Sequence, residues 1–272
     1  MKLDLHIHSN ASDGSVSPEE VVERALEGGL DVIALADHDT TAGVARAAAA
    51  AANHPIEIIP ALELSSTLDG AEIHILGYFV DAEAPCIEAH RQRSRDAREN
   101  RMRGMLDRLA LQGVRVKYDD VTVHLGAKEV APARPHLARA LVAAGHAVSV
   151  PDAFARLIGD DSPAFLATDI ATPAEVIEVV RAAGGISSWA HPEKDRVDTL
   201  LEGFVSQGLA GLEIYRPFTR QAYVEHLEGL ASQYDLLKTG GSDWHGPEGK
   251  RELGQFFVEG DEIAAFLAAG GL

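Results

Sequence analysis

The sequence is poor in the features that would place it in several large protein classes. It has a single cysteine, Cys86, which excludes an internal disulfide and a metal site built from several thiolates. No apolar run approaches the ~18 residues of a membrane span, and the N-terminus lacks the apolar core of a secretory signal. We therefore expect an unprocessed, soluble, cytoplasmic protein without a membrane partner.

Basic residues are also scarce. The 24 Lys and Arg face 42 Asp and Glu, and the resulting net charge of -18 argues against a surface that coats DNA or long RNA. Residues 91–139 reverse this balance, because they hold 12 basic residues and only six acidic ones. Two interpretations fit that segment: a solvated helix of alternating charges, or a basic lid over an anionic substrate.

Short apolar runs alternate with helix signals over much of the chain. Lys2–His8 alternates as a strand does, so that His6 and His8 lie on one face. The Ser-Pro-Glu-Glu sequence at 17–20 is typical of a helix N-terminus, and residues 31–36 form the next apolar strand. The same alternation returns towards the C-terminus. It predicts an α/β fold of the (β/α) barrel type with about seven strands.

The alternation breaks in the middle of the chain, where long helix-like stretches replace it. We expect residues 1–85 and 165–272 to form the catalytic barrel. Residues 86–164 are expected to form an inserted small helical subdomain that contributes to substrate binding. A length of 272 residues is compatible with one barrel that carries such an insertion.

Polar motifs with metal-binding chemistry follow the predicted strands. The carboxyl ends of barrel strands are where loops converge on an active site. The candidate ligands are His6, His8, Asp13, His38, Glu63, His74, His191, Asp243 and His245. So many imidazoles favour Zn, Mn or Fe over Mg or Ca, which prefer oxygen ligands. Any one histidine could instead occupy an ordinary surface or core position, and the others, His90 among them, are expected at the surface.

At these residues the chain resembles the PHP (polymerase and histidinol phosphatase) superfamily. The likeness rests on motifs that span nearly the whole chain, namely His6-Ile-His8 with Asp13, Ala-Asp37-His38-Asp, Glu63, His74, Ala-His191-Pro and Gly-Ser-Asp243-Trp-His245. It implies a distorted (β/α)7 barrel that holds two or three divalent cations, Mn in first place, with Zn or Fe as alternatives.

The resemblance also assigns ligands to ions. It gives His6, His8, Glu63 and Asp243 to one ion, Glu63, His74 and His191 to a second, and Asp13, His38 and His245 to a third. Glu63 would therefore bridge two ions. We assign His191, Asp243 and His245 to catalysis as well, and we expect Asp37 to orient a ligating ring through a hydrogen bond.

The Ala133-Arg134-Pro135-His136 element offers a guanidinium suited to phosphate at the start of a predicted helix, although an ordinary surface arginine fits the residues equally well. The element is similar to one in the PHP subgroup of 3′,5′-nucleoside bisphosphate phosphatases and related 5′ to 3′ exoribonucleases of the RNase AM type. That resemblance implies that Arg134 and His136 bind substrate phosphates, with Arg216 as a further contact. It also implies conversion of pAp to AMP and trimming of short 5′-phosphorylated RNA.

Three other functions stay open on the sequence. A histidinol-phosphate phosphatase would need no second phosphate pocket. An amidohydrolase acting on C–N bonds shares the His-x-His strand, but many of these enzymes bridge their metals with a carboxylated lysine, whereas Glu63 takes that place here. The third alternative is a metal-binding barrel without activity. The expected partner is a small anionic nucleotide or a short RNA, and not DNA.

Overall fold

The computed structural model describes residues 1–125, 131–247 and 251–272, so that Lys128 of the basic segment lies outside the described residues. The strands are β1 (Lys2–Ile7), β2 (Val32–Leu35), β3 (Glu57–Leu68), β4 (Ala71–Tyr78), β5 (Ile186–Trp189), β6 (Gly211–Tyr215), β7 (Leu237–Gly240) and β8 (Val258–Glu259). The helices are α1 (Pro18–Glu27), α2 (Val44–Ala51), α3 (Pro85–Leu111), α4 (Tyr118–Thr122), α5 (Arg134–Ala143), α6 (Val150–Ala153), α7 (Pro173–Ala182), α8 (Val197–Ser206), α9 (Gln221–Gln233) and α10 (Ala264–Gly270). In these three ranges, no helix has the length and apolar character needed to cross a membrane.

All eight strands join one sheet in the order β7-β6-β5-β4-β3-β2-β1-β8. The pairs within β1–β2–β3 and within β5–β6–β7 are parallel. The segment after β7 returns to β1, where the Trp244 carbonyl accepts the His8 N–H at 2.8 Å and the Trp244 N–H donates to the His6 carbonyl at 3.3 Å. The sheet therefore nearly closes, and the predicted α/β barrel is confirmed.

Strand β4 departs from the predicted alternation of strand and helix. It pairs antiparallel with both β3 and β5, and the β3–β4 hairpin places Ser65 opposite His74. Asp69 and Gly70 make the turn with φ of 51° and 82°, as a two-residue hairpin loop requires. The prediction that every polar motif lies at a strand's carboxyl end is wrong for His74, which lies in the first half of β4, and for Glu63, which lies in the middle of β3. An eighth strand, β8, pairs antiparallel with β1.

Helix α1 shows how the sequence specifies the layer outside the sheet. The Ser17 hydroxyl accepts the Glu20 N–H at 3.2 Å and caps the helix. Val21, Val22 and Ala25 are buried and pack with apolar side chains of β1 and β2. Burial of each of the two valines contributes about 1.5–3 kcal/mol, so this face holds α1 against the strands.

The helices between β4 and α7 have an apolar cluster of their own, in which Met105, Leu109, Val121, Leu137 and Leu141 are fully buried. Helix α3 packs against two parts of the molecule. Its second half supplies side chains to this cluster, and the helix also contacts α7 beside the sheet. The division into a barrel and an inserted subdomain at residue 85 stays a prediction.

Candidate metal centre

Glu63 lies at the centre of the histidine cluster. Its side chain is 1% exposed, and its two oxygens face different imidazoles. Oε2 lies within 3.3 Å of a ring nitrogen of each of His6, His8 and His38. Oε1 lies within 3.0 Å of ring nitrogens of His74 and His191. One carboxylate thus joins two sets of rings, which is the arrangement expected of a ligand shared by two cations.

Two further carboxylates complete the cluster. Asp243 Oδ1 lies 3.3 Å from His8 Nε2. Asp13 Oδ1 lies 3.3 Å from His245 Nε2 and 3.6 Å from His8 Nδ1, and Asp13 Oδ2 lies 3.8 Å from His38 Nε2. The nine predicted ligands therefore come together, although they are spread from His6 to His245 along the chain.

By distance, the ligand atoms fall into three groups, each within 4.8 Å. The groups are His6, His8 and Asp243; His38, Glu63 and His74; and His8, Asp13, His38 and His245. Compared with the assignment from the family resemblance, His8 joins the third group and His38 joins the second. His191 lies beside the second group, with Nε2 3.2 Å from His74 Nδ1.

Buried ring nitrogens without hydrogen-bond partners show that this donor set fits divalent cations. Both nitrogens of His8, Nε2 of His6 and Nδ1 of His38 are buried without such a partner among the described residues. Buried polar atoms are normally satisfied. Imidazole and carboxylate ligands suit Zn, Mn and Fe, so cations of this class would satisfy these nitrogens.

The ionisation of the cluster also favours cations. Burial raises the pKa of Glu63, but the imidazoles of His38, His74 and His6 outweigh burial and hold that pKa well below its usual range. Against the same effect of burial, neighbouring histidines hold the pKa values of Asp13 and Asp243 well below their usual range. Burial lowers the pKa of His38 to about 4, whereas the carboxylates outweigh burial and raise the pKa values of His6 and His74, and that of His245 to about 9. Ionised carboxylates and neutral rings are the forms that bind metals, so a cation would replace protons on these three rings.

Glu213 contacts two histidines of the cluster, and the sequence analysis did not predict this role. This fully buried side chain on β6 places Oε1 2.8 Å from His6 Nδ1 and accepts the His191 N–H at 2.6 Å. It can therefore fix the tautomer and orientation of the His6 ring, as carboxylates commonly do for metal-bound histidines. The available signal was a lone charged residue between Leu212 and Ile214 in an otherwise apolar strand.

Gly241 allows the approach between the end of β7 and β1. A Cβ atom on this residue would lie 2.4 Å from both the Cβ and the backbone nitrogen of His6. Only glycine fits here without a shift of β1, which carries His6 and leads to His8. Next to it, the Ser242 N–H donates to Asp4 Oδ1 at 2.8 Å, which ties the two segments together.

Asp37 serves a different purpose from the one predicted. Its carboxylate accepts the Ser9 N–H at 2.8 Å, the Ser9 hydroxyl at 2.7 Å and the Ser12 hydroxyl at 2.6 Å. These bonds hold the loop that leads to Asp13, and the structure shows no direct hydrogen bond from Asp37 to a ligating ring among the described residues. Asp37 therefore shapes the ligand loop.

Asp39 links helix α3 to the cluster through buried polar contacts. Its Oδ1 accepts the Ser65 N–H at 2.8 Å and lies 2.9 Å from His90 Nε2, and its Oδ2 accepts from Ser94 and from Arg98. Burial opposes ionisation, but Arg98 and these hydrogen bonds hold the pKa of Asp39 below its usual range. The expectation of a surface position for His90 is wrong, because its side chain is buried against Asp39.

The three predicted substrate-binding residues line three different cavities around the cluster. Arg134 begins α5, pairs with Asp160 and lines a cavity with His74 and His191. Arg216 lines a cavity with Asp243 and His245.

His136 lines a third cavity, together with Ser12 and Arg139. Its Nδ1 accepts the Ala133 N–H at 3.0 Å, which leaves Nε2 as the donor. Burial lowers the pKa of His136 to about 4, so the ring is neutral near pH 7. The three residues surround the cluster from separate sides, and their roles in substrate binding stay predictions.

Most arginines of α3 are paired. Arg93 bonds to Glu175 at the surface, and Arg95 forms a half-buried pair with Glu99. Arg101 is 7% exposed and pairs with Glu72. The interpretation as a solvated helix of alternating charges therefore fits Arg93 but not Arg101. Arg91, Arg95 and Arg98 also line a cavity with Asp13 and His38, so the segment does border the cluster.

Comparison with known proteins identifies the family. A PHP domain model matches residues 4–127. The 5′-3′ exoribonuclease of Haemophilus influenzae is 37% identical to this chain, over 93% of each protein. The chain belongs to the PHP family. A 3′,5′-nucleoside bisphosphate phosphatase of Chromobacterium violaceum is 31% identical over 93% of this chain and 90% of its own.

A crystal structure from Bifidobacterium adolescentis, described as a metal-dependent phosphoesterase, has the same fold. It superposes with a TM-score of 0.87 and 33% identity, over 98% of this chain and 95% of its own. The predicted PHP membership, the barrel fold and the class of metal-dependent phosphoesterase are confirmed. The role of each ligand and the identity of the metal stay predictions.

Proposed function

We propose that this PHP protein removes the 3′-phosphate from nucleoside 3′,5′-bisphosphates in the cytoplasm, and that it also shortens RNA oligomers with a 5′-phosphate. The proposal rests on the names of its relatives, a bisphosphate phosphatase and an exoribonuclease. The observation that carries it is the Glu63 carboxylate, which joins two sets of imidazoles between cavities lined by arginine.

Arginines beside the cluster support a substrate with two phosphates. On one side, Arg134 and Arg196 share a cavity with His74 and His191. On another side, a cavity near Asp243 and His245 is lined by Arg139, Arg216 and Arg251. Guanidinium groups suit phosphate because their planar donors match its oxygens. One phosphate can therefore lie at the cluster while the other lies against an arginine.

The ligand assignment follows the family resemblance. His6, His8, Glu63 and Asp243 would hold one cation, Glu63, His74 and His191 a second, and Asp13, His38 and His245 a third. We propose Mn as the metal, with Zn or Fe as alternatives. When bound, such cations polarise the phosphoryl oxygens and activate the attacking water.

Two histidines of the cluster would also orient the substrate. The side chains of His191 and His245 are 28% and 38% exposed, more than the other rings of the cluster. These two rings can reach a bound phosphate directly, which supports their assignment to catalysis together with Asp243. Glu213 accepts the His191 N–H and keeps the His191 backbone in place while the substrate binds.

A substrate panel tests the proposal. The purified protein, loaded with Mn, Zn or Fe in turn, is assayed for kcat/KM on adenosine 3′,5′-bisphosphate, AMP, histidinol phosphate, RNA oligomers with and without a 5′-phosphate, and an N-acyl amino acid. We expect the bisphosphate to be preferred over AMP by at least about tenfold, the effect of one charge-assisted contact. Arg134→Ala and Arg216→Ala should reduce that preference.

Arg181→Ala is the matched control, because Arg181 is an exposed arginine on α7 that pairs with Glu178. It should leave every rate unchanged. Equal turnover of histidinol phosphate would support the phosphatase alternative, and release of the amino acid would support an amidohydrolase. Either result, or a preference unaffected by both arginine variants, would overturn the proposal.

A further inference from the structure

The loop after β6 presents an aromatic ring at the mouth of the Arg216 cavity. Phe218 is 92% exposed, which is unusual for a large apolar side chain. It lines the same cavity as Asp243 and His245, two of the predicted metal ligands. A phenyl ring in that position faces whatever part of a substrate extends out of the metal centre.

The backbone of Phe218 is held in an unfavourable conformation. Its φ is 61°, a left-handed conformation that is rare for bulky residues and costs about 1–3 kcal/mol. Phe79 has a similar φ of 55°, but its ring packs against Phe266 with a centroid distance of 5.3 Å. No comparable apolar packing compensates Phe218 among the residues that the structure describes, as its exposure shows. Strain of this kind tends to occur at ligand sites.

One face of the Phe218 ring is already engaged by a cation. The guanidinium of Arg251 lies over the ring, 4.6 Å from its centroid, and this contact favours one orientation of the ring. Because 92% of the residue remains accessible, the ring still has a face open to the cavity. A flat, apolar surface beside several arginines matches the base of a nucleotide whose phosphates are bound deeper in the cavity.

We infer that Phe218 is a stacking platform for the base of the nucleotide substrate. The inference rests on the proposed function and deepens it, because it assigns base recognition to one side chain. Stacking accepts any base, since every base has a flat π face. The enzyme should therefore distinguish nucleotides from sugar phosphates without a base, while it discriminates weakly among the four bases.

The test compares two substrates that differ only in the base. Wild-type protein and the variants Phe218→Ala and Phe218→Trp are assayed on adenosine 3′,5′-bisphosphate and on ribose 3,5-bisphosphate. We expect the wild type to favour the nucleotide by about fivefold or more in kcat/KM, mainly through KM. Phe218→Ala should lose this preference and keep its kcat on ribose bisphosphate, and Phe218→Trp should restore it.

Binding provides a readout that does not depend on turnover. Trp189 and Trp244 are 2% and 4% exposed, so an indole at position 218 adds an exposed emitter to a buried background. AMP should quench the added emission of Phe218→Trp, with the wild type as the baseline, and ribose 5-phosphate should not. Leu111→Ala, which removes an 88% exposed side chain at the end of α3, is the control for loss of a surface apolar group.

The outcomes separate the two proposals. If the wild type hydrolyses neither bisphosphate, the proposed function fails, and quenching by AMP still decides whether the ring binds a base. If the wild type hydrolyses the nucleotide but Phe218→Ala retains the same preference over ribose bisphosphate, the stacking role is refuted. A lowered Tm for Phe218→Ala, with no change in preference, would assign the ring a structural role instead.

Discussion

The buried contacts of Asp39 make a sharp prediction about stability. Asp39 is 4% exposed, and its carboxylate accepts hydrogen bonds from Ser65, Ser94 and Arg98 and contacts His90. Asp39→Asn preserves the size of the side chain, and asparagine tolerates the left-handed backbone at this position, where φ is 56°. The substitution thus isolates the loss of the negative charge and of one acceptor oxygen.

The size of the expected destabilisation follows from Arg98, which keeps its charge when the carboxylate is removed. The side chain of Arg98 is 13% exposed, and its Nε and Nη2 lie 3.2 and 3.1 Å from Asp39 Oδ2. Removal of one member of a buried ion pair costs about 3–5 kcal/mol, because the other charge remains buried without its counterion. Removal of a hydrogen bond to a charged group, such as the one that Ser94 donates to Asp39, costs about 1.5–3 kcal/mol. We therefore expect Asp39→Asn to destabilise the protein more than Ser94→Ala.

Urea unfolding followed by circular dichroism at pH 7 measures both variants. Asp39→Asn combined with Arg98→Met should recover much of the loss, because an apolar side chain replaces the uncompensated cation. Glu178→Gln, which removes an exposed pair with Arg181, should stay within about 0.5 kcal/mol of the wild type. A loss below about 1 kcal/mol for Asp39→Asn would refute the claim that this charge pair fixes α3 against the barrel.

Two further predictions concern the centre and its flank. Glu213→Gln should weaken metal binding about 10–100-fold, because the carboxylate no longer orients the His6 ring; titration of the metal-free protein against a competing chelator measures this, and unchanged affinity would contradict the role of Glu213. Burial lowers the pKa of His136 from 6.5 to about 4, so the folded state binds fewer protons than the unfolded state between these values. His136→Gln should remove this contribution to the pH dependence of stability. The free energy of unfolding of the wild type, relative to the variant, should fall by at most about 3 kcal/mol as pH drops from ~6.5 to ~4. Urea unfolding with a chelator present measures this, and a difference between the two proteins that does not change with pH would contradict the prediction.

The sequence predicted side chains that the structure brings together, because their chemistry and their positions agree. His6 lies on β1, His8 directly follows it, and Asp243 and His245 follow a short apolar run. Such patterns can be recognised in a sequence because each depends on neighbours a few residues away. The direction of a strand in the sheet cannot be recognised in this way, since alternation shows which face a side chain lies on but not how the strand is oriented. His74 was therefore predicted as a ligand, and the structure places it in the cluster but in the first half of its strand.

The side chains that contact the candidate ligands or the backbone beside them were much harder to predict from the sequence. Arg98 and Asp39 are separated by 59 positions in the chain, and Glu213 reaches His6 across 207. In the sequence, Arg98 and His90 look like ordinary charged residues on a solvated helix. Only the packing of α3 against the segment after β2 buries them, and that packing depends on tertiary contacts that no local pattern encodes.

The same buried acceptors explain how the centre tolerates its own strain. His191, Asp243 and Asp39 have φ of 32°, 54° and 56°, which are unfavourable for residues other than glycine. Each lies at a point that a hydrogen bond fixes. Glu213 accepts the His191 N–H at 2.6 Å, and the Glu63 carbonyl accepts the Asp39 N–H at 2.8 Å.

Beside Asp243, the Ser242 N–H donates to Asp4 at 2.8 Å. Burial raises the pKa of Asp4 to about 6, although this bond favours the ionised form. A buried carboxylate of this kind is costly to desolvate, and its cost is offset when it accepts backbone N–H groups that would otherwise be unsatisfied. The acceptors that hold the strained backbone therefore also set the ligand positions. The folded chain itself thus contributes to the organisation of the centre, because these acceptors fix the backbone at or beside His191, Asp39 and Asp243.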